Sequence, residues 1–319
     1  EKIAFWNKVM EYAHERCITV YLFTWNLFIF DSNPYGIDSD VTNEQTKAYL
    51  KSSIHALLDS YPLLGGFGVT AGEYMSGDGT LDVQYLYAVY AEAIRTYLNK
   101  HPQRSFELVH RSHWAAFETI DQLYDTCTFP FALSFKYSNA HLHSSTNPPF
   151  LSEFLNDHDL TLPLYLTLRD DDYYLHRWAN YKFAHSYINA LPSGRIEGFF
   201  LGSDGYSWGW ETVSLNLEPQ LYITKHRAKL ALFGELSYNH EFSHSQFIAM
   251  MRMLYPQGND ELFYFLEEAS DILRFVTMVH WRDWDFQWYI EGCCKYIHPP
   301  VGLLEFEDII DFVFCPAMK

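Results

Sequence analysis

Positive charge is scarce in this chain. Lys and Arg total 22 against 40 Asp and Glu, giving a formal net charge of −18. Binding to a nucleic-acid backbone needs clustered cations that displace counterions, so nucleic acid is a poor partner. An anionic membrane surface is disfavoured for the same reason. Long apolar runs are also missing, since none approaches the roughly 20 residues of a membrane helix. Cysteine is sparse: Cys17, Cys127, Cys293, Cys294 and Cys315 make an odd set whose spacings match no zinc or disulfide framework. They are expected to be mostly free and buried. No glycine-rich phosphate loop follows any predicted strand, so no dinucleotide cofactor is implied. A Ser or Cys nucleophile on a strand–elbow–helix turn is likewise absent. No signal peptide is visible, and Glu1 opens directly inside a helical pattern, which suggests a missing upstream segment.

Apolar and aromatic residues are plentiful. Hydrophobic content is 48%, enough for a large core, and the chain carries 24 Tyr, 25 Phe and 9 Trp. Most of these rings belong to the core. A Trp- and Tyr-rich barrel suits carbohydrate, because sugar rings have apolar faces that stack on aromatics.

The repeating unit is a helix followed by a short apolar strand. Helices are predicted over residues 3–16, 43–60, 80–100, 114–126, 150–157 and 179–190, the second capped by Thr42 or Asn43 and closed before Pro62. Strands are predicted from Cys17 to Trp25, Gly65 to Thr70, Phe106 to His110, Phe129 to Lys136, Leu162 to Arg169 and Ile196 to Ser203. Strands alternating with helices imply a parallel sheet with helical crossovers. Because the chain opens on a helix, the expected architecture is an α/β fold, a (β/α)8 TIM barrel lacking its first two strands. A six-stranded doubly wound sheet is the alternative. From about residue 219 the pattern turns wholly helical, with helices predicted over 219–236, 244–255, 259–279 and 283–297. The expected division is a barrel over 1–218 and a C-terminal helical region over 219–319.

Each predicted strand has an apolar body and a polar tip. The tips read Thr24-Trp25-Asn26, Thr70-Ala71-Gly72-Glu73, His110-Arg111-Ser112-His113, Lys136-Tyr137-Ser138, Arg169-Asp170-Asp171-Asp172-Tyr173 and Ser203-Asp204-Gly205, the last followed by Trp208 and Glu211. In a barrel, functional groups gather where strands end. Glycoside hydrolysis needs two carboxyl groups, one protonated to serve the leaving oxygen and one ionised to activate water or attack. Glu73 is the leading candidate, following a strand and a glycine, with Asp170 or Asp172 opposite. Alternation along extended backbone lets Asp170 and Asp172 share a side. His110, Arg111, Lys136 and Arg169 could hold an acidic sugar, since Arg pairs with carboxylates in bidentate fashion. Alternatively, they neutralise the Asp run. Trp25, Asn26, Tyr173, Asp204, Trp208 and Glu211 complete the substrate-binding candidates. A metal site built on His110, His113, His141 and His143 is the rival chemistry; no metal is the preferred expectation.

Five segments carry a family resemblance: Tyr21-Leu22-Phe23-Thr24-Trp25-Asn26, Gly68-Val69-Thr70-Ala71-Gly72-Glu73, Ser134-Phe135-Lys136-Tyr137-Ser138, Arg169 to Tyr174, and Gly202-Ser203-Asp204-Gly205-Tyr206 with Trp208-Gly209. They resemble the α-glucuronidase-like glycoside hydrolases of bacterial polysaccharide degradation. The resemblance implies a (β/α)8 barrel, a carbohydrate substrate, a further N-terminal domain or homo-oligomer, and a periplasmic or extracellular location. The chain departs from that pattern at Trp210, where an arginine is common. A non-catalytic sugar-binding barrel and a metal-dependent hydrolase are the competing functions.

Overall fold

A computed structural model describes residues 1–24, 29, 32–71, 75–112, 115–135, 146–147, 151, 154–156, 162–169, 177–192, 194–202, 222–277, 294–295 and 302–303. Contacts group the chain into two compact units, 1–136 with 158–165, and 137–157 with 166–319.

In the first unit, helix α1 (Lys2–His14) buries Met10 and Ala13. It leaves Ile3, Phe5 and Trp6 exposed. Cys17 follows with φ 57°, a left-handed conformation that lets the chain turn into β1 (Val20–Phe23). Helix α2 (Glu44–Ser60) begins where the Asn43 side chain accepts hydrogen bonds from the Gln45 and Thr46 amides at 2.9 and 3.2 Å. That cap satisfies two of the amides a helix start leaves without partners. Ile54 and Leu58 form its buried stripe. Strand β2 (Leu64–Thr70) is buried along almost its whole length.

The long helix expected over 80–100 is three pieces. Helix α3 (Gly79–Leu86) is capped by Asp78, a π-helical turn spans Tyr87–Ala91, and α4 (Glu92–Lys100) completes the run. The wider turn seats Tyr90 against Phe67 of β2, ring centroids 5.7 Å apart. Strand β3 (Glu107–Ser112), helix α5 (Phe117–Tyr124) and strand β4 (Phe131–Phe135) continue the alternation.

Strands β5 (Leu164–Arg169) and β6 (Ile196–Gly202) extend the sheet, whose order is β1-β2-β3-β4-β5-β6. The β1–β2, β2–β3 and β3–β4 pairs are parallel. This corrects the expected architecture. Among the described residues the sheet has six strands, and it is not an eight-stranded TIM barrel missing two. Its order also lacks the reversal that defines a doubly wound sheet. The leading helix was the reason for supposing two lost strands; α1 itself buries only Met10 and Ala13.

The second unit contains α6 (Tyr181–Ala190), a single turn at Tyr222–Lys225, then α7 (Arg227–Tyr238), α8 (His244–Leu254) and α9 (Asp260–Thr277). Its core includes Trp178, Tyr187, Leu232, Phe233, Phe247 and Met251, with Trp178 stacked on Phe233 at 5.8 Å. Helix α9 secures the start of α6 by polar contacts. The Ser270 hydroxyl accepts the Ala179 amide at 3.0 Å, the Glu267 carboxylate accepts the Tyr181 amide at 3.1 Å, and Asn180 donates to the Glu267 carbonyl at 3.1 Å. Glu267 also meets His244 at 2.7 Å, joining α8 to the same knot.

A helix was expected over 283–297. Cys294–Lys295 (β7) instead pairs antiparallel with Gly302–Leu303 (β8). Cysteine burial also departs from expectation: Cys17 is an exposed free thiol and Cys127 a partly exposed one. Among the described residues, no helix is long and apolar enough to cross a membrane.

Arg104 joins the end of α2 to the start of β2. Its guanidinium donates to the carbonyls of Leu58, Tyr61 and Leu64 at 2.7, 2.8 and 3.2 Å. A charge-assisted bond is worth about 1.5–3 kcal/mol, and these part-buried carbonyls can regain water when the guanidinium is removed, so the three losses do not add in full. Arg104→Met should therefore destabilise the protein by roughly 2–4 kcal/mol in urea unfolding.

Candidate active site

Parallel pairing places the C-terminal ends of β1 to β4 along one edge. The register aligns Thr70, Arg111 and Ser134 in one row across β2, β3 and β4, and sets Phe23 of β1 beside Gly68. Side chains alternate along a strand, so this row shares a face with Gly66, Gly68, Glu107, Val109 and Ala132. Val69, His110 and Leu133 point to the opposite face.

The face that carries Arg111 is built by aromatic rings over glycines. A Cβ at Gly66 would overlap the Tyr21 ring, and one at Gly68 would overlap the Phe23 ring. The Tyr21 hydroxyl donates to Glu107 Oε2 at 2.6 Å. Burial pushes the Tyr21 phenol far above its ordinary range, with the Glu107 hydrogen bond and charge and nearby Tyr165 adding to the shift. It is therefore a neutral donor throughout the working pH range. The Thr24 amide donates to the Gly68 carbonyl at 2.9 Å, carrying the β1–β2 pairing to the strand tip.

Three candidate segments start from this edge. Thr24 immediately precedes Trp25 and Asn26, buried Ala71 precedes Gly72 and Glu73, and Phe135 precedes Lys136. Trp25, Asn26, Glu73 and Lys136 themselves lie outside the described residues. Of the other candidates, Arg111 stands in the aligned row and is partly exposed. Arg169 closes β5, its side chain outside the described set. Asp170, Asp172 and Tyr173, which follow β5, and Asp204, Trp208 and Glu211, which follow β6, are also outside it. So are His113, His141 and His143 of the rival metal set.

Glu107 was not singled out in the sequence, and Tyr21, Thr70 and Ser134 were named there only within longer segments, not as candidates for the site. Tyr21, Glu107, Thr70 and Ser134 join Arg111 on one face, and strand parity counted against the glycines would have found them. The segment just after Glu73 is also anchored. Ser76 donates its amide to Asp82 Oδ1 at 3.0 Å and its hydroxyl to the same oxygen at 2.5 Å. The Asp78 amide donates back to the Ser76 hydroxyl at 3.1 Å. Asp82 is 1% exposed, and its Oδ2 has no hydrogen-bond partner.

Neither a protein-family model nor a curated sequence matches this chain. Its fold is similar to a solved structure of a GH138 enzyme targeting pectin rhamnogalacturonan II, with TM-score 0.72 and 15% identity over 89% of this chain. The match covers 36% of that protein, so this chain spans about a third of its length. At this identity the likeness is one of fold.

His110, expected to bind substrate, stands apart from Arg111. It is 3% exposed and borders a small apolar cavity with Val69, Leu86, Leu108, Ile120 and Phe131. Neither ring nitrogen has a hydrogen-bond partner. Burial lowers its pKa from 6.5 to about 4. The unfolded chain therefore takes up a proton below 6.5 while the folded chain stays neutral until about 4. This part of the stability is complete above pH 6.5 and is lost as pH falls towards 4. Melting temperature should drop between pH 7 and pH 5, and His110→Leu should drop less across the same interval. Parallel losses in both proteins would remove His110 as the cause.

Proposed function

We propose that this chain is part of a glycoside hydrolase whose reaction centre lies at the C-terminal ends of the strands. The observation that carries the reading is the fold match to a carbohydrate-acting enzyme over 89% of the chain. The edge at which Thr70, Arg111 and Ser134 align supports it, since the segments bearing Trp25, Asn26, Glu73 and Lys136 leave from that edge. In this reading Glu73 is the proton donor to the leaving oxygen. Asp170 or Asp172 is the second carboxylate, acting on water or on the anomeric carbon. Arg111, Lys136 and Arg169 bind a carboxylate of an acidic sugar, and Trp25, Asn26, Tyr173, Asp204, Trp208 and Glu211 contact the rest of the substrate. The α-glucuronidase-like assignment rests on the sequence motifs and on this basic set.

A general acid contributes roughly 10²–10⁴-fold in rate. Glu73→Gln conserves shape, so it should lower turnover on a natural linkage by about that factor. Turnover on an activated aryl glycoside should be largely retained, because a good leaving group needs little protonation. Full activity on both substrates would exclude Glu73. Sugar binding without turnover by the wild-type protein would mark a binding module instead.

The basic set has its own test. Arg169→Met should depress turnover of uronate-containing oligosaccharides by at least about tenfold more than turnover of neutral ones, the scale of one lost bidentate pair. Equal losses on the two substrates would make Arg169 a partner of the Asp run.

A further inference from the structure

The second unit holds a cavity of about 630 Å³, within the range of roughly 300–1,000 Å³ that small-molecule sites occupy. Three helices build it. Ala228 of α7 and Met251 and Leu254 of α8 line it beside Phe263 and Leu266 of α9. The turn from Tyr255 to Gly258, which joins α8 to α9, closes another side. That turn is held in place. Arg252 clamps Asp260 across it, Nε to Oδ1 at 2.9 Å and Nη2 to Oδ2 at 2.6 Å, and the Gly258 amide donates to the Tyr255 carbonyl at 2.9 Å. A Cβ at Gly258 would meet the Phe263 ring at 2.8 Å, so the glycine lets that ring seat against the turn. Arg177 and Trp178 also line the cavity, and they directly precede Ala179 and Asn180, which α9 fixes through Ser270 and Glu267. The walls are therefore set before a ligand arrives, which lowers the ordering cost of binding.

Two features of the lining point to a ligand. The first is apolar surface left in water: Leu262 and Phe265, 53% and 68% exposed, belong to the same lining. The second is the sign of the charge. Asp and Glu outnumber Lys and Arg by 40 to 22 in the chain. Among the described residues that line this cavity, however, Arg177 and Lys225 are charged and none is acidic.

We propose that this cavity binds an aromatic carboxylic acid, its ring system among Trp178, Tyr255, Phe263 and Phe265 and its carboxylate on Arg177 and Lys225. A guanidinium keeps its charge at any working pH and meets a carboxylate through parallel hydrogen bonds. Ring–ring contacts contribute about 0.5–1.5 kcal/mol beyond the area they bury, which favours an aromatic body over an alkyl chain. The residues are not those of the proposed reaction centre, and the inference does not depend on the glycosidase reading.

The test is calorimetric titration of the full chain with 4-phenylbenzoate, its neutral analogue 4-phenylbenzamide, and dodecanoate, with thermal melting as the check on folding. Wild type should bind 4-phenylbenzoate saturably and more tightly than either of the others. Arg177→Gln alters an exposed residue and keeps the apolar walls. It should weaken 4-phenylbenzoate by about tenfold, the scale of one lost charge-assisted bond, and leave 4-phenylbenzamide unchanged. Ala228→Leu narrows the cavity and should weaken both aromatic ligands by about tenfold, the effect of misfit in a closely packed site. If Ala228→Leu fails to fold, Phe265→Ala at the exposed rim takes its place, with the same expectation. Absence of saturable binding to wild type overturns the proposal. So does 4-phenylbenzoate affinity that neither Arg177→Gln nor Lys225→Gln alters, or that the cavity variant leaves intact. Dodecanoate binding more tightly than 4-phenylbenzoate overturns the aromatic class. Glycoside turnover is read in none of these arms, so a failure here leaves the proposed reaction centre standing.

Discussion

Parallel strand pairing is the constraint from which the rest follows. A parallel neighbour cannot be reached by a tight turn, so the chain must cross back through a helix before each new strand. The consequence is directional. Every strand of the aligned set ends at the same edge, and the residues just beyond those ends are gathered there whatever their distance in sequence. Thr70, Arg111 and Ser134 meet in one row for this reason, although dozens of residues separate them. The helical layer then buries the other face, and His110 is caught on that side among Val69, Leu108 and Phe131.

The two faces of the sheet solve different problems. On the helix side, Phe67 and Tyr90 stack and Val69 and Leu108 are almost wholly buried, so apolar burial does the stabilising. The opposite side is amphipathic. The Tyr21 ring fills the space beside Gly66 and directs its hydroxyl to Glu107, and the row above it is polar. Such a face can meet a ligand that is itself apolar on one side and hydroxylated on the other. In the second unit, α9 has a comparable organising role: Glu267 and Ser270 supply acceptors that the start of α6 needs.

Much of this was legible in the sequence, for identifiable reasons. Short β-branched and aromatic runs bounded by polar tips located all six strands to within a few residues, and Asn43 announced α2 because its side chain can serve two amides. Strand number failed because curvature and closure depend on stagger between strands, which no single segment records. The π-helical turn at Tyr87–Ala91 was invisible since its residues suit an ordinary helix equally well. His110 and Arg111 fall on opposite faces because neighbouring strand residues alternate. Tyr21 and Glu107 are separated by 86 positions and become neighbours only through register. As for the proposed site, β2, β3 and β4 end along one edge, and the carboxylates proposed for the chemistry lie outside the described residues.

The glycines of β2 have an evolutionary consequence. Because the rings of Tyr21 and Phe23 occupy the volume that side chains at positions 66 and 68 would fill, β2 adds nothing to that face below Thr70. Any larger residue at 66 is admissible only after position 21 has shrunk, and the same holds for 68 and 23. These are coupled pairs, in which the order of substitution matters and single changes misrepresent the double. The surface of this face can therefore be remodelled only two positions at a time, with β1 changing first.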